Sequence, residues 1–172
     1  MKNKKWLLIF SALSAICIGF SCKKDGLTKE TQTGANTFSC KVDGVVFKPS
    51  ESGGLFGSPP ITVYNFPYNG FTLLGKYYGD RVTFSKNVML NLIFIKTTGS
   101  YKLGLNKNNG IYEIDYAGGP VFRTDETHTG IVNITRCDSV NHIYSGNFSF
   151  TGIDKNTGKT VNVTDGRFDV KQ

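Results

Sequence analysis

The chain has 172 residues, 39% of them hydrophobic and 19% charged, with a formal charge of +7 and a pI near 9.2. That length suits one domain with a core of its own. The 20 lysines and arginines are spread along the chain, which excludes the clustered basic face of a nucleic-acid binder.

The first five residues, MKNKK, hold three lysines, and the fifteen residues from Trp6 to Phe20 carry no charge. A cationic head, a short apolar middle and a small residue before a cut point make a bacterial export signal. Fifteen residues fall short of the roughly 20 that a membrane-crossing helix needs. Residues 1–21 are therefore read as a signal helix that is removed. Removal leaves 151 residues and takes three lysines with it, so the formal charge falls to +4.

Cys22 follows Ser21 directly. The stretch GFSCKK resembles the lipobox of bacterial lipoproteins, in which the cysteine thiol receives a diacylglycerol and becomes the mature N-terminus. The resemblance implies cleavage between Ser21 and Cys22 and acyl chains on Cys22. Gly19 and the bulky Phe20 depart from that pattern, which favours an aliphatic residue three places before the cysteine. Each buried methylene contributes about 0.8 kcal/mol, so several acyl chains hold a protein to membrane lipid for good. Lys23 stands where an aspartate would retain such a protein at the inner membrane, which points to the outer membrane. The expected location is the cell envelope, by a lipid anchor. Residues 23–36, KKDGLTKETQTGAN, have little to bury and read as a flexible tether, with ends on the order of 20 Å apart.

From Thr37 the chain reads as a single all-β domain. In TFSCKVDGVVFKP, Asp43-Gly44 is a strong hairpin signal, because a type I′ turn needs positive φ at both positions. Its register sets Val42 opposite Val45 and Cys40 opposite Phe47, with Phe38, Cys40, Val42, Val45 and Phe47 on one side. SESGGLFGSPP is a loop. Further strands are expected near ITVYNF, FTLLGKYY, RVTFS, VMLNLIFI, SYKLGL, GIYEIDY, GIVNITR, SGNFSFTGI, TVNVT and RFDV. In VMLNLIFI both alternating sets look buried. Phe148 and Phe150 should face inward, and Asp165-Gly166 should turn the chain into Phe168 and Val170. No stretch beyond the signal shows helical periodicity. The fold expected is an antiparallel β-sandwich or flattened β-barrel of roughly 8–10 short strands.

The stretches TQTGANTFSCKVDGVVF, TGSYKL, GIVNITRCD, YSGNFSFT and VTDGRFDV, in this order, resemble a family of small Bacteroidetes-type lipoproteins of unknown function. The likeness runs from Thr31 to Val170. It implies a tether, a short hairpin, and at the end a strand, a hairpin and a terminal strand; it implies no activity. In such bacteria Asp-Ser followed by an aliphatic residue resembles an envelope O-glycosylation site, and Asp138-Ser139-Val140 fits, with Ser139 as acceptor.

After lipidation of Cys22, Cys40 and Cys137 remain, as a disulfide in an oxidising envelope or as two free thiols. Cys137 has the wrong strand parity to join Val132 and Ile134 unless a bulge intervenes. No metal or other cofactor is expected: His128 and His142 read as turn residues, and Asp125 and Glu126 offer calcium too few ligands. Glu113 and Asp115 are spaced for glycoside hydrolysis but read as the exposed face of a strand, with Tyr112, Ile114 and Tyr116 beneath. An enzyme is not expected. Tyr64, Phe66, Tyr68, Phe71, Tyr77 and Tyr78 form either a stacking platform for a ligand or part of the core. The partner class expected is a glycan, a peptide or an envelope protein, with a structural subunit of an envelope assembly as the alternative.

Overall fold

The computed structural model describes residues 25–51, 58–66, 70–79, 85–105, 107–115 and 118–172. The signal segment, Ser21 and Cys22 lie outside the described residues, as do most of RVTFS, Tyr68 and Tyr116. The strands are β1 (Thr37–Val42), β2 (Val45–Phe47), β3 (Ile61–Phe66), β4 (Gly70–Tyr78), β5 (Ser85–Leu92), β6 (Gly99–Leu103), β7 (Asn109–Asp115), β8 (Val121–Arg123), β9 (Gly130–Asp138), β10 (Ile143–Ile153) and β11 (Thr160–Lys171). Among the described residues there is no helix.

Nine strands follow one another as β2-β1-β11-β10-β8-β7-β5-β4-β3, all antiparallel, and curl into a half-barrel. The flattened-barrel expectation is the one this architecture matches. β10 is the fork. Its residues Ile143 to Phe150 pair with β9, and beyond them Ile153 pairs with Arg123 of β8. β6 then extends the β9 wing.

Alternation decides which side of each strand is buried. Phe38 and Cys40, Phe71 and Leu73, Val88, Leu90 and Leu92, and Phe148 and Phe150 all point into the concave side. The convex side carries polar rows, with an apolar row of Leu74, Met89 and Ile111 beside the first of them. Thr72, Asn91 and Asn109 form one hydrogen-bonded row across β4, β5 and β7 (2.7 and 2.9 Å). Ser100, Asn133 and Asn147 form another across β6, β9 and β10 (2.5 and 2.8 Å).

The β1–β2 hairpin has the expected register, with Asp43 and Gly44 at φ 48° and 81°. Val45 differs: at the tip it is 71% exposed. The segment after β2 reaches across the mouth of the curl. The Ser50 amide donates to the Lys76 carbonyl (3.0 Å), and the Tyr78 amide donates to the Ser50 hydroxyl (3.0 Å). These bonds use the stretch of β4 that β3 leaves unpaired. Close approach there needs a glycine, because a Cβ on Gly75 would fall 2.8 Å from the Phe38 ring.

Two bulges set the phase of the longest strands. Phe148 and Phe150 of β10 face Gly166 and Val163 of β11, so β11 carries one extra residue. Asp165 sits there at φ 52°. The expected turn at Asp165-Gly166 is thus a bulge within one continuous strand. The extra residue lets Val161 and Val163, of one parity, and Phe168 and Val170, of the other, all face inward. In β9 a second bulge lies between Ile134 and Arg136. It carries Cys137 onto the core side, where it packs against the cluster.

Cys40 and Cys137 are nevertheless both free. They stand three strands and four rows apart. That is roughly 20 Å at ~4.8 Å per strand and ~3.3 Å per residue, whereas a disulfide needs Cα atoms within ~7 Å. Shared burial side is not enough; the sheet keeps them apart.

Two further expectations change. VMLNLIFI ends as a strand at Leu92, where the Ile93 amide turns to Asn108 Oδ1 (2.7 Å). Phe94 then takes φ 61° and is exposed, while Ile95 is buried. The second correction concerns the tether. From Asp25 to Asn36 the chain is a strap laid along the convex side of β1 and β11. Leu27 is buried under it. Thr28 takes hydrogen bonds with the Ser39 hydroxyl through its amide (2.9 Å) and its own hydroxyl (2.8 Å). Arg167 donates to the Thr28 carbonyl (3.0 Å) and to Asp25 (2.7 Å).

The strap's lower end closes on Asp169. One carboxylate oxygen accepts from the Thr31 hydroxyl (2.6 Å) and from the Thr33 and Ala35 amides (2.9 and 3.1 Å). The other accepts from the Gly34 amide (2.8 Å) and the Ser145 hydroxyl (2.7 Å). Burial alone would raise this carboxyl; the hydroxyls of Thr31 and Ser145 and the amides of Thr33 and Ala35 outweigh it and hold it well below the usual carboxylate range. Polar composition suggested a coil, but the strap's polar groups are spent on the sheet.

Candidate functional site

At the end of the half-barrel that carries the β1–β2 and β10–β11 turns lies a cavity of about 510 Å³. This is within the ~300–1,000 Å³ of small-ligand pockets. Val42, Val45 and Phe47 of the first hairpin form one wall, and Tyr77, Ile114 and Phe122 face them. Tyr112 and Val161 are buried within it. The Phe47 and Tyr77 rings meet at 6.4 Å between centroids.

The cavity forms because β2 is only three residues long. The wall it begins stops at Pro49, and the matching ends of β4, β5 and β7 rise past it. Polar groups are few. Asp43 stands on the rim with its carboxylate engaged by the Asn162 amide (2.9 Å). Lys86 is the lining's one cation among the described residues. Burial pushes the Tyr112 phenol up, with Asp43 and Cys40 adding to the effect. Apolar walls, four aromatic rings and two rim charges suit noncovalent capture of an amphipathic group.

The aromatic residues singled out in the sequence do not assemble into one surface. Phe71 is core. Tyr64 is exposed on the convex side of β3, opposite Thr72. Phe66 closes β3. Tyr78 is also convex, with the Lys76 ammonium 5.5 Å from its ring centre. Tyr77 alone joins the cavity, because it has the inward parity of Phe71 and Leu73.

Glu113 and Asp115 lie on the convex side, away from the cavity that Tyr112 and Ile114 line. Each carboxylate meets β5: Glu113 accepts from Asn87 (2.7 Å) and Asp115 from Ser85 (3.3 Å). Asp125 is absorbed by its own loop. The amides of His128 (2.7 Å) and Thr127 (2.9 Å) donate to it and hold its carboxyl well below the usual range. His142 is an exposed turn residue at φ 53°. No group of three or more potential metal ligands occurs among the described residues. Ser139 is exposed in the β9–β10 turn, beside Asp138, whose carboxylate is held by Asn141 and Arg136.

Reading the sequence missed most of the cavity. Val42, Val45 and Phe47 share a side by alternation, but nothing local in the sequence supplies the wall across from them. Phe122 was not placed at all, because a three-residue strand gives no alternation to read.

No curated protein and no solved structure matches the chain. One family model does, that of a domain of unknown function, DUF6252, over residues 79–170. The matched stretch supplies β5 to β11, the middle of the curled sheet with its β9–β6 wing; the β1–β2 and β3–β4 hairpins extend it on either side.

Proposed function

The chain belongs to the DUF6252 family, and from that premise we propose that it is a lipid-anchored protein of the cell envelope whose body is a binding module. The mouth of the half-barrel takes an apolar or aromatic side chain of a peptide or protein partner. Acyl chains on Cys22 hold the module to membrane lipid, in the manner of a Bacteroidetes-type lipoprotein of the outer membrane.

The observation that carries the binding reading is the cavity itself. It combines about 510 Å³ of space with apolar walls and one charge of each sign on its rim. Burying a side chain the size of leucine or phenylalanine there would contribute about 1.5–3 kcal/mol before entropic losses. A glycan would ask for more hydrogen-bonding groups than this lining offers, so a peptide fits better.

Native protein isolated from membranes tests both halves. Intact mass should show a chain beginning at Cys22 with added acyl mass. A chain beginning elsewhere, or without that mass, refutes the anchor. On a peptide array with single apolar residues between polar flanks, binding should saturate and should be weakened several-fold in Ile114→Trp, whose indole occupies part of the cavity. Equal binding by that variant, with its fold intact by circular dichroism, refutes the site. Saturable sugar binding alone would replace the peptide with a glycan.

A further inference from the structure

The strap that replaces the expected tether constrains where the body can sit. Only Lys23 and Lys24 separate Cys22 from Asp25, and Asp25 is fixed to Arg167 at 2.7 Å. Three residues span at most about 11 Å, so an anchored Cys22 keeps Asp25 within that reach of the lipid. The headgroup layer itself is roughly 5–8 Å deep. The body therefore cannot be lifted clear of the bilayer.

What stands beside Asp25 is the apolar tip of the first hairpin. Gly26 lies against Val46, close enough that a Cβ on it would be 3.3 Å from Val46 Cγ2. Val46 is 41% exposed and its neighbour Val45 71% exposed, at the tip of the hairpin. The surrounding charges are mostly cationic. Lys48 follows the hairpin, and Lys155 and Lys159 are exposed in the adjoining β10–β11 turn. Asp165 pairs with Lys41, and Asp43 in the turn keeps its charge while accepting from the Asn162 amide. Basic side chains around an apolar tip suit a surface of anionic headgroups over acyl chains.

We infer that the β1–β2 hairpin is a second membrane contact, with Val45 and Val46 dipping into the interface of the same bilayer that holds Cys22. The inference rests on the proposed lipidation. It brings the mouth of the cavity, which Val45 and Val46 help to line, to the membrane surface.

The chain's single tryptophan is Trp6, so a mature chain starting at Cys22 has none, and a new one reports alone. Full-length Val45→Trp, and separately Val140→Trp, would be isolated from membranes and reconstituted in vesicles of phosphatidylethanolamine and phosphatidylglycerol with a brominated phosphatidylcholine. Val140 is 85% exposed in the β9–β10 turn, at the opposite end of β10. Quenching should be several-fold stronger at 45 than at 140, and Val46→Trp should behave like Val45→Trp. An acylated chain that floats with the vesicles but is quenched equally at both positions overturns the contact and leaves the anchor standing. A chain with no acyl mass that stays off the vesicles overturns both. Quenching absent at 45, with emission shifting to the blue as protein concentration rises, gives the hairpin to a second copy and overturns the inference.

Discussion

Asp169→Ala should detach the strap. The carboxylate is 1% exposed and accepts hydrogen bonds from three consecutive amides, Thr33, Gly34 and Ala35, and from the hydroxyls of Thr31 and Ser145. A hydrogen bond to a charged group is worth ~1.5–3 kcal/mol, but those sums do not add here. The strap can peel away and return its donors to water, which caps the loss near the ~3–5 kcal/mol of breaking a buried ionic contact. For a domain of this size that is roughly 10 °C in Tm, at ~2–4 °C per kcal/mol. Asp169→Asn should do little better, because one side of the amide would present a donor to donors. The pH dependence has a definite sign. The folded carboxyl lies below its unfolded value, so its contribution is complete above ~pH 4 and fades as pH falls below that. Urea unfolding gives the stability, and amide hydrogen exchange at residues 33–35 gives the mechanism. Unchanged protection at those amides together with a Tm within a degree of the parent would refute the reasoning.

Three other outcomes are expected. Gly75→Ala should cost about 1–3 kcal/mol by overpacking, since its Cβ meets the Phe38 ring at 2.8 Å and Pro49 Cγ at 3.0 Å; a denaturation midpoint equal to the parent's would mean the mouth is looser than described. Native protein should show Cys137 reacting slowly with a thiol reagent and Cys40 not at all, because burial pushes both thiols up and Cys40 is fully buried; finding no free thiol after denaturation would show that they had bridged. Arg167→Ala removes the partner of Asp25 and of the Thr28 carbonyl, so trypsin should cut after Lys29 much faster than in the parent, and equal rates would show that Leu27 and Ser39 hold the strap unaided.

The parts of this fold that could be read from the sequence are those that local chemistry determines. Phe148 and Phe150 face inward because a strand exposes alternate residues to opposite sides. Asp43-Gly44 turns a hairpin because both residues accept positive φ. The same dipeptide at 165–166 misled, since positive φ serves a bulge as well as a turn. Which of the two forms depends on whether a neighbouring strand continues past it, and β10 and β1 both do. The strap was illegible for a related reason. Thr31 and Asp169 are 138 residues apart, and nothing local tells a threonine-rich coil that a carboxylate waits at the other end of the chain. The cavity needed six separate segments brought together, one of them only Val121–Arg123.

The extra residue in β11 has a consequence for how this chain can change. Deleting Asp165 would straighten the ladder and leave every backbone pair formed. It would also leave Phe168 and Val170 facing inward, because without Asp165 the residues Val163, Gly166, Phe168 and Val170 fall on one unbroken alternation. Core closure at the C-terminus and capture of the strap thus share one frame of reading. A one-residue deletion beyond the bulge, such as that of Arg167, should by contrast send Phe168 and Val170 outward and the Asp169 carboxylate inward, so it should be far less tolerated than deletion of Asp165.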